Sequence, residues 1–397
     1  MGTLHPVRWR SRLSSFVWLL LAIEFLDELV FGAREAAWPL VRDDLGLSYA
    51  EIGIVLGAPS FASAVVEPIL GILGDTAWRR ALIAWGGVVF AAGLVAFATA
   101  PGFVVLLGAS FVLDPASGAF VSLSQVALVD SDRPRAERLM ADWTLAGSVG
   151  VVLGPLFLGA VVLAGAGWRG TFALAAAAAL ILASLIARHP VSPTSRAPSV
   201  SFGEGLRGAA EALRRAAVWR WLVLLAFSNL MLDVLLGFLA LYMVDVAGSS
   251  VRTAGLAIIV WSVVGLLGDA LLLPVLGRVS GLRYLRWSAR LMLLAFPAFL
   301  LLPWLEGKLM LLALLGLLNS GWYAIPKAQL YGAIPGRAGA AMAIYSGFGA
   351  VTGLVPVGLG LVAQRWGLEV TMWLLLAGPV ALTIGLHGPA TRASASP

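Results

Sequence analysis

Cysteine is absent from all 397 residues. Disulfides, thiolate metal sites and thiol catalysis are therefore excluded. Histidine is scarce: His5, His189 and His387 flank apolar runs or lie in tails, which argues against a buried histidine relay. Charge is scarce too, at 12% of residues, where a soluble domain carries about a quarter. What fills the chain instead is apolar: 60% hydrophobic residues and a mean hydropathy of +0.93. A soluble protein of this composition would have little polar surface to show water, so an integral membrane protein is expected. The net charge of +6 does not point to nucleic acid, because the basic residues fall in short loops between apolar runs. No nucleophile, base or metal-ligand set appears with recognisable spacing, so no enzyme, metal or cofactor is expected. Met1 to Ser14 is a basic, polar lead-in to a full-length span, unlike a cleavable signal peptide.

Crossing the hydrocarbon takes roughly 20 apolar residues. Twelve such spans are expected, at 15–34, 51–73, 80–99, 103–128, 139–164, 170–187, 218–243, 253–276, 284–302, 308–331, 338–363 and 369–386. The long connection, 188–217, reads as a linker followed by an amphipathic stretch from Phe202 to Arg215. It divides the chain into six-span halves, 1–187 and 218–397. With the N-terminus inside, twenty Arg fall on the cytoplasmic side, against Arg34, Arg42, Arg169, Arg252, Lys308 and Arg365 outside. Both termini are expected to be cytoplasmic. The halves echo each other. Glu67 follows Gly53 by fourteen residues, and Asp269 follows Gly255 by fourteen.

Glu24, Asp27 and Glu28 are spaced by three and four, which puts them on one helical arc of span one. One charged residue in mid-membrane costs about 2.5–3.5 kcal/mol on insertion scales. Three on one arc must face a wet cavity or a partner helix, and such carboxylates are suited to carrying protons; the bland alternative is that Arg34 or a neighbouring helix pairs with them. Asp114 and Asp233 fall near the midplane, one in each half, and join them as proton-coupling candidates. Glu67 and Asp269 lie nearer the cytoplasmic side and are candidates for gating. Asn229, Phe238, Tyr242, Asn319, Trp322, Tyr323 and Tyr345 offer polar and aromatic contacts to a substrate. In span five, Gly150 and Gly154 form Gly-x-x-x-Gly and are followed by Pro155, a pattern that permits close helix contact and a weakened backbone ladder.

The polar knot Gly71-Ile72-Leu73-Gly74-Asp75-Thr76-Ala77-Trp78-Arg79-Arg80 resembles the loop between helices two and three of major facilitator superfamily transporters. Span five resembles the glycine-proline motif of antiporters in that superfamily. Pro39 through Gly74, with Leu45-Gly46-Leu47-Ser48-Tyr49-Ala50-Glu51-Ile52-Gly53 and Glu67-Pro68, is most similar to fosmidomycin-resistance-type exporters, and Asp114-Pro115 resembles the His-Pro of their span four. Two departures stand out: many superfamily antiporters carry arginine where Asp114 aligns, and Glu67 stands where that group often has a neutral amide. The resemblance implies an all-α membrane protein of twelve helices in two pseudo-symmetric six-helix bundles, with Gly71, Asp75, Arg79 and Arg80 governing conformational change. It implies a secondary transporter of the bacterial cytoplasmic membrane. The expected activity is proton-coupled export of a small amphiphilic, cationic or zwitterionic compound by a monomer. Alternatives are a proton symporter for uptake, a lipid or glycolipid flippase and, in a different class, a non-transporting membrane sensor.

Overall fold

This computed structural model describes residues 15–74, 78–132, 135–189, 211–334, 344 and 347–386. Among them there is no strand. Ten helices are long and apolar enough to cross a membrane. In chain order these are α2 (Tyr49–Leu70), α3 (Arg79–Ala98), α4 (Phe103–Ser131), α5 (Arg138–Leu163, its helix starting at Ala136) and α6 (Gly167–Arg188). The second series is α7 (Ala216–Asp245), α8 (Val251–Leu276), α9 (Gly281–Leu301), α11 (Gly347–Trp366) and α12 (Leu368–Gly385). Two further crossings complete twelve. Helix α1 (Ser15–Leu45) is too acidic to qualify by composition, yet its 31 residues reach about 46 Å at 1.5 Å per residue. Helix α10 is broken into Leu305–Leu318 and Ala324–Gly332.

The end of span one is a correction. Arg34 and Glu35 read as a membrane surface, but the helix continues through them to Leu45. The charges cancel locally, since Arg34 Nε donates to Glu35 Oε1 at 3.3 Å, while Glu35 Oε2 accepts from Trp38 Nε1 at 3.1 Å. Lys308 is not a solvated loop charge either. It is 5% exposed. Its Nζ donates to Tyr242 Oη at 2.9 Å and to the carbonyls of Phe299 and Leu300 at 2.8 and 3.1 Å. It thereby supplies donors to the open carbonyls at the end of α9.

Three crossings carry local irregularities. Helix α4 passes through a π-segment at Gly118–Ser122 just after Pro115, and α7 through another at Leu230–Val234. Helix α10 is interrupted at 319–323, where Gly321 takes a φ of +72°, a conformation glycine adopts without penalty. Such irregular backbone inside a membrane is tolerated where it is buried in protein or lines a cavity.

Candidate functional site

The site is built on α1, and α5 fixes its position. The glycine face of α5 lies directly on the α1 backbone. A Cβ at Gly150 would meet Phe25 O at 2.5 Å, and one at Gly154 would meet Leu29 O at 2.5 Å and Gly32 C at 2.7 Å. Gly147 makes room for the Glu24 carboxyl, which a Cβ would approach to 2.7 Å. Small residues thus let the two backbones meet. Gly154→Ala is expected to destabilise the protein by about 1–3 kcal/mol, the usual range for overpacking. Thermal unfolding in detergent checks this, and an unchanged midpoint would refute the packing argument.

From this support α1 presents Asp27 and Arg34 to a cavity of about 320 Å³. Ser60, Ser63 and Glu67 of α2 and Asp114 and Ser117 of α4 add to its polar lining, with Phe31, Phe90 and Phe97 among the apolar walls. Ser117 Oγ reaches both Asp27 carboxylate oxygens at 3.1 Å. Arg34 Nη1 stands 4.0 Å from Asp114 Oδ1. Across the seam between the halves, Asp233 in the α7 π-segment lies within electrostatic reach of Arg34 and Glu28. Arg34 is therefore the cation around which carboxylates from α1, α4 and α7 gather. The sequence reading puts Arg34 outside the membrane, and the structure puts it inside the bundle. The cue in the sequence is the short spacing Arg34, Glu35, Trp38, which lets one turn of helix neutralise its own charge.

A second cavity of about 210 Å³ lies between the halves. Ser60, Ser63 and Glu67 line both cavities. Glu67 thus bridges a pocket inside the first half and one shared with α7, α10 and α11. Of the substrate-contact candidates, Asn229 and Tyr323 line this second cavity, joined by Phe348 and Thr352. Phe238, Tyr242 and Trp322 line neither; each is buried in the second half, and Trp322 Nε1 donates to Ser288 Oγ at 3.0 Å. Asn319, at the break in α10, is 6% exposed. Tyr345 and Asp75 lie outside the described residues, and Gly71 directly follows the apolar span of α2, in the helical run Pro59–Gly74. Arg79 pairs with Asp130 at 2.7 Å, tying the start of α3 to the end of α4, a partner the sequence pattern did not single out. Arg80 Nη1 donates to His189 O at 3.4 Å.

Glu67 and Asp269 have related surroundings. Glu67 packs on the π-segment of α4, where a Cβ at Gly118 would come within 3.2 Å of its Cγ. Asp269 Oδ1 accepts the Gly321 N–H at 2.9 Å, inside the break of α10. In each half an acid of the second helix meets the irregular backbone of the fourth.

The Major Facilitator Superfamily family model matches residues 20–356. The chain belongs to that superfamily. It is 25% identical over 352 residues to the fosmidomycin resistance protein of Escherichia coli (strain K12), covering 87% of this chain and 85% of that one. Over 159 residues it is 32% identical to a probable actinorhodin transporter of Streptomyces coelicolor, covering 39% of this chain and 27% of that protein. The crystal structure of the nucleoside transporter NupG superposes with a TM-score of 0.72 at 18% identity, over 94% of this chain and 98% of that one. This protein is thus a multi-pass membrane transporter and not an enzyme, and the two-bundle fold holds.

In this transporter the halves are closed at the end where α1 leads into α2. A Cβ at Gly53 would meet Pro356 O at 2.5 Å and Gly360 Cα at 2.8 Å, and one at Gly360 would meet Tyr49 O at 2.6 Å. Above this glycine seam Arg42 pairs with Asp245, which also accepts from Tyr49 Oη at 2.6 Å, while Tyr49 N donates to Gln364 Oε1 at 3.1 Å. Each of these links joins one half to the other. Asp245→Ala is expected to loosen this end. A membrane-impermeant thiol reagent added on that face should then label Ser63→Cys, in the cavities behind the seam, several-fold faster than in the Asp245 parent. The native chain has no cysteine to confuse the reading. Equal labelling would show that the glycine seam alone holds the closure.

Proposed function

We propose that this transporter is a proton-coupled exporter of a small amphiphilic compound, working by alternating access in the cytoplasmic membrane with both termini inside. The halves 1–187 and 218–397 would rock about the central site between them, with the Arg42–Asp245 end facing outward. The observation that carries the reading is the joining of Asp27, Arg34, Glu67 and Asp114 in one cavity, with Glu67 shared by the cavity between the halves. A proton taken by these carboxylates changes the balance of charge around a fixed guanidinium. Substrate cation and proton then compete for the same acids, which is the requirement for exchange. Arg34 refines the substrate class. A simple cation meets both attraction and repulsion here, whereas a zwitterion can answer Arg34 and the carboxylates together. The name of one sequence relative, a fosmidomycin resistance protein, favours export over uptake.

The test is a panel of amphiphilic cations, zwitterions and anions in proteoliposomes with an imposed pH gradient. Movement of a zwitterion or cation against an opposite flow of protons is expected. Accumulation in the same direction as protons would replace the exporter with a symporter, and indifference to the gradient would remove proton coupling.

A further inference from the structure

The largest of the three cavities described lies away from the charged site. It is a groove of about 600 Å³ between α5 and α8, floored by Ala36 and Leu40 of α1. Its walls are aliphatic, and the space exists because small residues stand on both sides. A Cβ at Gly159 would meet nothing within 4 Å, and one at Gly255 would only touch Pro155 at 3.8 Å. The groove is continuous with the flank of the molecule, where its wall residues Leu156, Leu163 and Leu256 are 53%, 83% and 45% exposed. At its mouth Arg252 and Thr253 stand in the first turn of α8, and no acidic side chain among the described residues lines it. The α8 N-terminus adds partial positive charge there, beside Arg252.

We infer that this groove holds an acyl chain of an anionic membrane phospholipid, with the headgroup phosphate at Arg252. The bilayer supplies the occupant because the groove opens on the flank of two membrane-spanning helices, and an apolar slot there is filled by lipid and not by water. The Arg252 charge at the mouth, with no carboxylate beside it among the lining residues, attracts an anionic head more than a zwitterionic one. Because α5 belongs to the first half and α8 to the second, the chain lies in the seam between the moving bodies. The inference rests on membrane embedding and not on the direction or coupling of transport.

The test is photolabelling of the full-length protein in phosphatidylcholine liposomes. The probe is a trace of phosphatidylglycerol carrying a diazirine in its acyl chain. Peptides spanning 155–163 and 251–259 are expected to label several-fold more than the α6 flank around Leu174 and Ile181, which are 53% and 61% exposed. Gly159→Phe and, from the opposite wall, Gly255→Leu should remove the excess and leave α6 labelling as the internal measure of folded, embedded protein. Unlabelled phosphatidylglycerol should compete better than phosphatidylcholine, and Arg252→Gln should abolish that difference. Groove labelling equal to α6, or unchanged by both filling substitutions, would overturn the site. Equal competition by the two lipids in the parent would overturn the anionic head.

Discussion

Arg34→Gln is expected to be the most destabilising single change in the charged site. It leaves Glu35, 2% exposed, without its ionic partner. Removing one member of a buried pair costs about 3–5 kcal/mol, because the other charge stays desolvated. Asp114 adds little, since it is 34% exposed and 4.0 Å away. The double variant Arg34→Gln with Glu35→Gln should recover much of the loss, because Trp38 can still donate to a glutamine oxygen. Arg34→Lys should recover less than charge alone predicts, since an ammonium lacks the guanidinium fork. Thermal unfolding of the four proteins decides the matter. An Arg34→Gln midpoint equal to the parent would mean that the pair is not coupled.

Asp27→Asn is expected to reduce gradient-driven transport to the level of protein-free liposomes while the protein still folds. Asparagine keeps the shape and can still accept from Ser117, so the loss would be of charge and not of packing. Substrate equilibration without a gradient should persist. Binding, which in the parent should weaken as pH falls and protons occupy the acids, should lose the part of that dependence owed to Asp27. Ser117→Ala removes a hydrogen bond to a carboxylate, worth about 1.5–3 kcal/mol, and should slow the parent reaction without abolishing it. Gradient-driven transport retained in Asp27→Asn would assign the proton to another acid, with Glu67 the next to replace.

The fold was legible because hydropathy and loop charge act residue by residue. The acids of α1 were legible for the same reason: spacings of three and four place Glu24, Asp27 and Glu28 on one arc whatever packs beside them. The α5 glycines read as a contact face, and they lie on the α1 backbone. What was illegible depended on partners distant in sequence or on the backbone. Arg34 resembles a surface charge until Glu35 and Trp38 are seen to satisfy it. Tyr242 resembles a substrate contact until Lys308 comes to its hydroxyl from 66 residues away. Asp269 reads as a candidate for gating, but the sequence does not show its partner, the Gly321 N–H, which is available only because α10 breaks there. An amphipathic ring or a lone carboxylate announces a need for a partner without saying whether protein or substrate supplies it.

The link between Arg42 and Asp245 differs from the Arg34 cluster in its place, since it sits at one end of the molecule, with side chains 18% and 16% exposed, and not inside the bundle. Mobile ions that reach such a pair weaken it, over a screening length of about 8 Å at physiological ionic strength and about 3 Å at 1 M. The Gly53–Gly360 seam beneath it carries no charge and is indifferent to salt. The resting population closed at that end is therefore set by an insensitive contact trimmed by a sensitive one. The salinity of the medium bathing that face is expected to bias the balance between closed and open at that end, without any ion entering the cavity around Arg34.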